Sequence, residues 1–338
     1  MKLDRANRSF LAFVTVALLF GATALCGMVG GVLVPLSLAR MTHGGLTGPW
    51  SVQASLLTPL LLLGLILIGV GLGGRTLARQ AIASRVLSRR VRALATTTPQ
   101  ALARVAWQTG LAGRVVLVDA GDAFSFVYGV MTPRVAVSRG LLERATGDEL
   151  RAVLEHERYH VRNIDPLKAA IARVLSEALF VLPALESLRT RYIAGRELAA
   201  DRRAVAICGR RPLAGALLKV VRGPDWSELG GAAAISNLEL LDVRVVQLET
   251  GSEPQPEALD TESVILSLGG AMLFAVIFLV SVSGLGGAAA VDHATGTGLV
   301  AATLLGALSC TAPFAGAGLV IYSLVALRAS RPLRSLTV

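Results

Sequence analysis

Cysteine, histidine and acidic charge are all scarce in this 338-residue chain, and no acidic residue occurs between Asp4 and Asp119. Three cysteines, Cys26, Cys208 and Cys310, cannot all pair, and no CxxC occurs, which excludes a disulfide framework and a cysteine-held metal. Charged residues make up 17% of the chain, against about 25% in an average soluble domain. That shortage argues against a soluble globule and against disorder. What fills the chain instead is 53% hydrophobic residues, poor in aromatics at 5% and accompanied by 35 glycines. Leu, Ala, Val and Ile with abundant glycine are the composition of lipid-facing helices that approach one another closely.

Four stretches free of Asp, Glu, Lys and Arg are long enough to cross the hydrocarbon, which takes about 20 helical residues: 10–36, 56–74, 264–285 and 298–327. The first follows a basic start, Met1-Lys2-Leu3-Asp4-Arg5, yet continues past Cys26 as a span does and a cleaved leader does not. Arg40 is the only basic residue in the short connections 39–55 and 286–297. The positive-inside rule therefore predicts a multi-pass cell-membrane protein with both termini and the central segment in the cytoplasm. The expected organisation is a membrane hairpin at 1–74, a basic juxtamembrane segment at 75–92, a cytoplasmic domain at 93–249, a linker at 250–263 and a second membrane hairpin at 264–338. The net charge of +10 is then an orientation signal. Arg75, Arg79, Arg85, Arg89, Arg90 and Arg92 suit anionic lipid, whereas nucleic acid is not expected as a partner, since the run lacks interleaved aromatics.

The central segment reads as α+β. Residues 115–118, 123–128 and 134–138 are strand-like, bounded by Gly121, Gly129 and Pro133, and predict a small antiparallel sheet. Thr146 with Glu149 three residues on is a capping box that opens a helix to about Asn163, where Asp165-Pro166 ends it. Residues 167–188 are largely apolar but carry Lys168, Arg173, Glu177 and Glu186, and read as an amphipathic helix lying on the bilayer or packed in a core.

Within the capped helix lies His156-Glu157-Arg158-Tyr159-His160, an HExxH motif. Residues four apart share a helix face, so His156 and His160 can converge on one ion, with Glu157 near enough to polarise water there. Zn2+ suits two imidazoles and an open position. A third ligand is needed, and the remaining histidines, His43 and His293, fall in the predicted outer loops. A carboxylate must serve. Glu197 and Asp201 lie four apart on a later helix that closes near Gly209, Glu197 as ligand and Asp201 accepting the free N–H of a liganding histidine. The alternative is that both pair with Arg196, Arg202 or Arg203 on a solvated helix; Glu177 and Glu186 are lesser candidates.

The order of these elements resembles the membrane-embedded gluzincin metallopeptidases. Phe124-Ser125-Phe126, Pro133-Arg134-Val135 and Arg162-Asn163-Ile164-Asp165-Pro166 are most similar to the BlaR/MecR-type antirepressor peptidases, and the Glu197 to Asp201 spacing to the HtpX/CAAX-protease (Ste-type) branch. The resemblance covers about 93–249. It implies a zinc metalloendopeptidase that cleaves a protein or peptide substrate at the cytoplasmic face, with Glu157 as general base. The resemblance does not supply an oxyanion stabiliser; the candidates in the sequence are Tyr192 first, then Arg191 or Arg196. Strand 134–138 is expected to accept the substrate as an added strand. A regulatory, antirepressor-type role is the first expectation, although sensors of that type carry a large C-terminal domain and only 328–338 follow the last span here. The alternatives are a membrane-protein quality-control protease and a catalytically silent metal-binding scaffold.

Overall fold

The computed structural model describes residues 5–28, 49–220, 240–252, 254 and 260–289. His43, His293, Cys310 and the expected span at 298–327 lie outside them. The described residues fall into two compact units, one within Met1–Phe10, Gly73–Leu175 and Leu188–Ala258, the other within Leu11–Leu72, Ser176–Ser187 and Leu259–Val338.

The second unit is helical. It contains most of α1 (Arg5–Met28), the first half of α2 (Pro49–Ala93) and α10 (Thr261–Ala289). Ala24, Leu62 and Phe274 bury one another, and the rings of Phe20 and Phe274 lie 5.2 Å apart. Two glycines permit closer approaches: a Cβ on Gly69 would strike the carbonyl oxygen of Ala178, and one on Gly270 that of Val181. The segment expected as a single helix over 167–188 is broken at 179–183, and Ala184 N–H donates to Ser267 Oγ at 2.8 Å. Among the described residues one helix, Leu60–Ala93, is long and apolar enough to cross a membrane, while Ala6–Ala22 and Thr261–Phe274 are shorter apolar helices. The basic segment 75–92 lies within α2, whose 45 residues reach about 67 Å at 1.5 Å each.

The first unit is built on four strands: β1 (Ala95–Thr96), β2 (Val115–Val118), β3 (Ser125–Tyr128) and β4 (Arg134–Ser138), in the order β1-β2-β4-β3. The sheet is mixed, not antiparallel as the sequence suggested, because β2 and β4 run parallel with Val115 beside Val135. The cause is the hairpin at Gly129–Pro133. It folds β4 back between β2 and β3, so β4 antiparallel to β3 must share the direction of β2. β4 is therefore a central strand with no free edge for the added substrate strand expected there, and β3 is the outer strand beside it.

One face of the sheet meets α3 (Gln100–Gln108) and α5 (Gly147–Asn163) through Leu102, Val127, Val135, Val137, Leu150 and Leu154. The other face buries Leu87 and Val91 of α2 against Phe124, Phe126 and Tyr128. A short helix, α4 (Arg139–Arg144), leads from β4 to α5. The capping box of α5 is formed in both directions: Thr146 Oγ1 accepts from Glu149 N–H at 3.3 Å, and Thr146 N–H donates to Glu149 Oε2 at 2.7 Å. Glu149 Oε2 also meets Lys219 Nζ at 2.6 Å, fastening the start of α5 to the end of α8 (Arg210–Lys219).

α5 stops where the sequence predicts, but the interruption lasts only one residue. Ile164 takes the left-handed conformation, φ 53°, and α6 (Asp165–Ala178) begins at once with Pro166 in its first turn. A β-branched residue in that region is strained, at about 1–3 kcal/mol. The bend turns Asp165 back toward the face of α5 that carries His160.

Candidate metal centre

Three helices deliver the site. α5 supplies His156, Glu157 and His160, α7 (Ala184–Cys208) supplies Arg196, Glu197 and Asp201, and α9 (Leu241–Thr250) supplies Arg244. Val153, Leu154 and Val161 point α5 into the core, and the helical period then turns both histidines toward α7. All six of His156, Glu157, His160, Arg196, Glu197 and Asp201 are buried.

The donor atoms of His156, His160 and Glu197 converge: the two Nε2 atoms lie 3.2 Å apart, and Glu197 Oε2 lies 3.4 Å from one and 3.6 Å from the other. Tetrahedral zinc with bonds of about 2.0–2.1 Å sets its ligand atoms roughly 3.3–3.4 Å apart. The three donors thus have the spacing of three corners around one such ion. Each ring also turns its far nitrogen to a carboxylate. His160 Nδ1 meets Asp165 Oδ2 at 2.7 Å in a hydrogen bond. His156 Nδ1 lies 2.7 Å from Asp201 Oδ1, an ion-pair contact. Arg244 holds both oxygens of Asp201 at 2.7 Å, and Gln247 Nε2 donates to Leu198 O, which seats α9 on α7.

Electrostatically the centre favours positive charge at the rings. Burial works against an imidazolium at His160, yet Glu197 and Asp165 outweigh it and raise its pKa to about 10. Burial likewise opposes, and Asp201 reverses, the shift at His156, which is upward. Glu197 sits well below the ordinary carboxyl range: burial pushes it up, but His160, His156 and Arg196 pull it further down. Asp201 is lowered, against its burial, chiefly by Arg244. Carboxylates arranged to hold two cationic rings are equally arranged to hold two neutral rings and a dication.

A cleft opens on this cluster, walled by Ser125, Phe126 and Val127 of β3, by Val153, and by Leu213, Ala216, Leu217 and Val220 along α8 and its end. Glu157, Arg196 and Arg244 also line it. Besides His156 Nδ1, two side-chain atoms of residues lining the cleft are buried without a hydrogen-bond partner among the described residues, Ser125 Oγ and Arg196 Nε, although Arg196 Nε lies 3.3 Å from Glu197 Oε1. Unsatisfied buried polar atoms are rare in folded proteins and call for an explanation.

Residues 48–248 match the BlaR1 peptidase M56 family. This chain belongs to that family. Among curated proteins, a protease HtpX homolog from Streptococcus equi subsp. equi (strain 4047) is 26% identical over 169 residues, covering 45% of this chain and 57% of the relative. No solved structure matches. The M56 match contains α2 through most of α9, and so every residue of the cluster.

Tyr192 does not line the cleft. Its hydroxyl donates to Asp165 Oδ1 at 3.3 Å, and burial followed by Asp165 pushes its pKa up, so it stands behind a histidine's partner and away from the opening. Glu177 and Glu186 lie outside the cluster of possible ligands. Sequence reasoning missed Asp165 and Arg244. Asp165 was visible as Asp-Pro after HExxH, but its value there is as a helix stop. Arg244 lies 43 residues beyond Asp201 with no pattern connecting them.

Proposed function

We propose that this M56 family member is an integral-membrane zinc metalloendopeptidase, with His156, His160 and Glu197 as metal ligands and Glu157 as general base. The observation that carries the reading is the 3.2, 3.4 and 3.6 Å triangle of donor atoms, backed by Asp165 and Asp201 on the far ring nitrogens. Zinc bound there supplies Lewis-acid activation of water near neutral pH. The remaining work belongs to the chain. The Asp165 carboxylate holds the proton on His160 Nδ1, leaving Nε2 free to ligate. The Glu157 carboxylate takes a proton from the attacking water and returns it to the leaving amine nitrogen. Arg196 Nε–H, which makes no hydrogen bond although it lies 3.3 Å from Glu197 Oε1, donates to the carbonyl oxygen as charge develops on it.

The substrate is proposed to bind as an extended strand on β3. Ser138 N–H donates to Phe124 O, so by the alternation of an antiparallel ladder Ser125 and Val127 turn their backbone groups away from β4. Both residues also line the cleft. An added strand there lays its peptide bonds across the cluster.

Membrane placement rests on the apolar sequence stretches and on helix surfaces: Leu60, Leu61, Leu67, Ile68 and Leu273 are each more than half exposed, as lipid-facing residues are in protein taken alone. The positive-inside bias supports a cytoplasmic catalytic unit with two flanking hairpins, and the arginines of α2 are proposed to meet anionic headgroups. The M56 match favours a regulatory protein substrate of antirepressor type. The test is Glu157→Gln in purified full-length protein: zinc retained and peptide cleavage lost supports the mechanism, while retained cleavage contradicts it. Terminal sequencing of cellular peptides that disappear in that variant identifies the substrate.

A further inference from the structure

The first two turns of α1 lie before the family match and dock on the residues that stand behind His160. Ala6 is 2% exposed, and a Cβ on Gly195 of α7 would come to 3.8 Å from it, so the two helices approach at backbone contact. The Phe10 ring lies 5.1 Å from the Tyr192 ring, tilted by 42°. Tyr192 O–H in turn donates to Asp165 Oδ1, whose other oxygen meets His160 Nδ1. Beside Phe10, Asn7 Oδ1 accepts from Lys168 Nζ at 2.6 Å, and Asn7 Nδ2 donates to Asn163 Oδ1 at 3.3 Å.

Asn163 and Lys168 flank the one-residue break at Ile164, so Asn7 spans the joint whose bend aims Asp165. A strained residue persists where the surrounding structure over-determines it. Backbone bonds within the joint contribute, and from outside α5 and α6 it is spanned by Asn7, with Phe10 packed against Tyr192.

We propose that Asn7 and Phe10 are positioning residues for the metal ligand His160, acting through the α5–α6 joint and through Tyr192 and Asp165, so that the N-terminal helix sets how tightly the centre holds zinc. This rests on the zinc reading of the site. A carboxylate on the far nitrogen of a liganding histidine is worth about 10–100-fold in metal affinity, and it delivers that only while held in place. Packing of Phe10 limits where the Tyr192 ring, and hence its hydroxyl, can sit.

The test uses the full chain in detergent, with the zinc Kd measured by chelator competition and the visible spectrum of the cobalt-substituted protein recorded alongside. Phe10→Ala, Asn7→Ala and Tyr192→Phe are expected to weaken zinc binding by about tenfold and to shift the cobalt bands, while Phe10→Tyr restores both toward the parent. Should Phe10→Ala not fold, Phe10→Leu, which keeps bulk and loses the ring, gives the same reading. Stoichiometric zinc in the parent with unchanged Kd and cobalt bands in the variants overturns the role of α1 and leaves the centre intact. A parent that binds no zinc overturns the metal reading and this inference with it.

Discussion

At the scale of single residues, the centre separates into groups that a sequence can reveal and groups that only folding brings in. His156, His160, Glu197 and Asp201 are legible because four-residue spacing on a helix is geometry written in the chain. Asp165 is not, because its role depends on the left-handed turn at Ile164, and Arg244 is not, because its partner is distant in sequence. These roles make distinct predictions. Asp165→Asn and Asp201→Asn should each weaken zinc binding by about 10–100-fold in chelator competition. Asp201→Asn should also destabilise the fold more than Asp165→Asn does, because it leaves Arg244 buried without its anionic partner. Arg196→Met should lower kcat by about 10²–10³ with zinc content preserved, as expected for loss of one donor to the developing oxyanion. Tyr192→Phe should act on zinc affinity and not directly on the chemical step, since its hydroxyl faces Asp165.

At the scale of elements, α5 was the most readable piece, its start fixed by Thr146 and Glu149 and its end by Ile164 and Asp165-Pro166. Thr146→Ala should cost about 1 kcal/mol in denaturant unfolding. Glu149 is held below its ordinary value, first by Lys219 and then by the Thr146 backbone N–H. A lowered folded value stabilises above the ordinary 4.5 and is lost as pH falls through the lowered value. Unfolding midpoints should therefore drop on acidification below that range, and Glu149→Gln should flatten the drop. The sheet was less readable. Strand positions follow from Val-rich runs and glycines, but strand order does not, and the insertion of β4 between β2 and β3 leaves Ser125–Tyr128 as the outer strand on that side, the edge proposed for substrate. A peptide substrate N-methylated where it would bond β3 should be cleaved far more slowly than its parent, with zinc binding unaffected.

At the scale of the whole molecule, composition separates an apolar part, proposed to face lipid, from the part that holds the candidate metal centre. Long charge-free stretches and the distribution of arginine carry the expected topology, and α2 continues from such a stretch into the catalytic unit as one helix, with Leu87 and Val91 under the sheet. A cysteine placed at Trp107, which is 74% exposed, in a background lacking the native cysteines should react with an impermeant reagent only when the cytoplasmic side is opened. Labelling from outside intact cells would reverse the proposed orientation.

The central claim is that His156, His160 and Glu197 hold one zinc ion. Zinc-edge X-ray absorption of the purified chain tests it most directly. One tightly bound zinc per chain, with nitrogen and oxygen neighbours at about 2.0–2.2 Å and no sulfur, is the predicted result, lost in His160→Ala. Absence of bound zinc, a sulfur shell, or an unchanged spectrum in His160→Ala would contradict it.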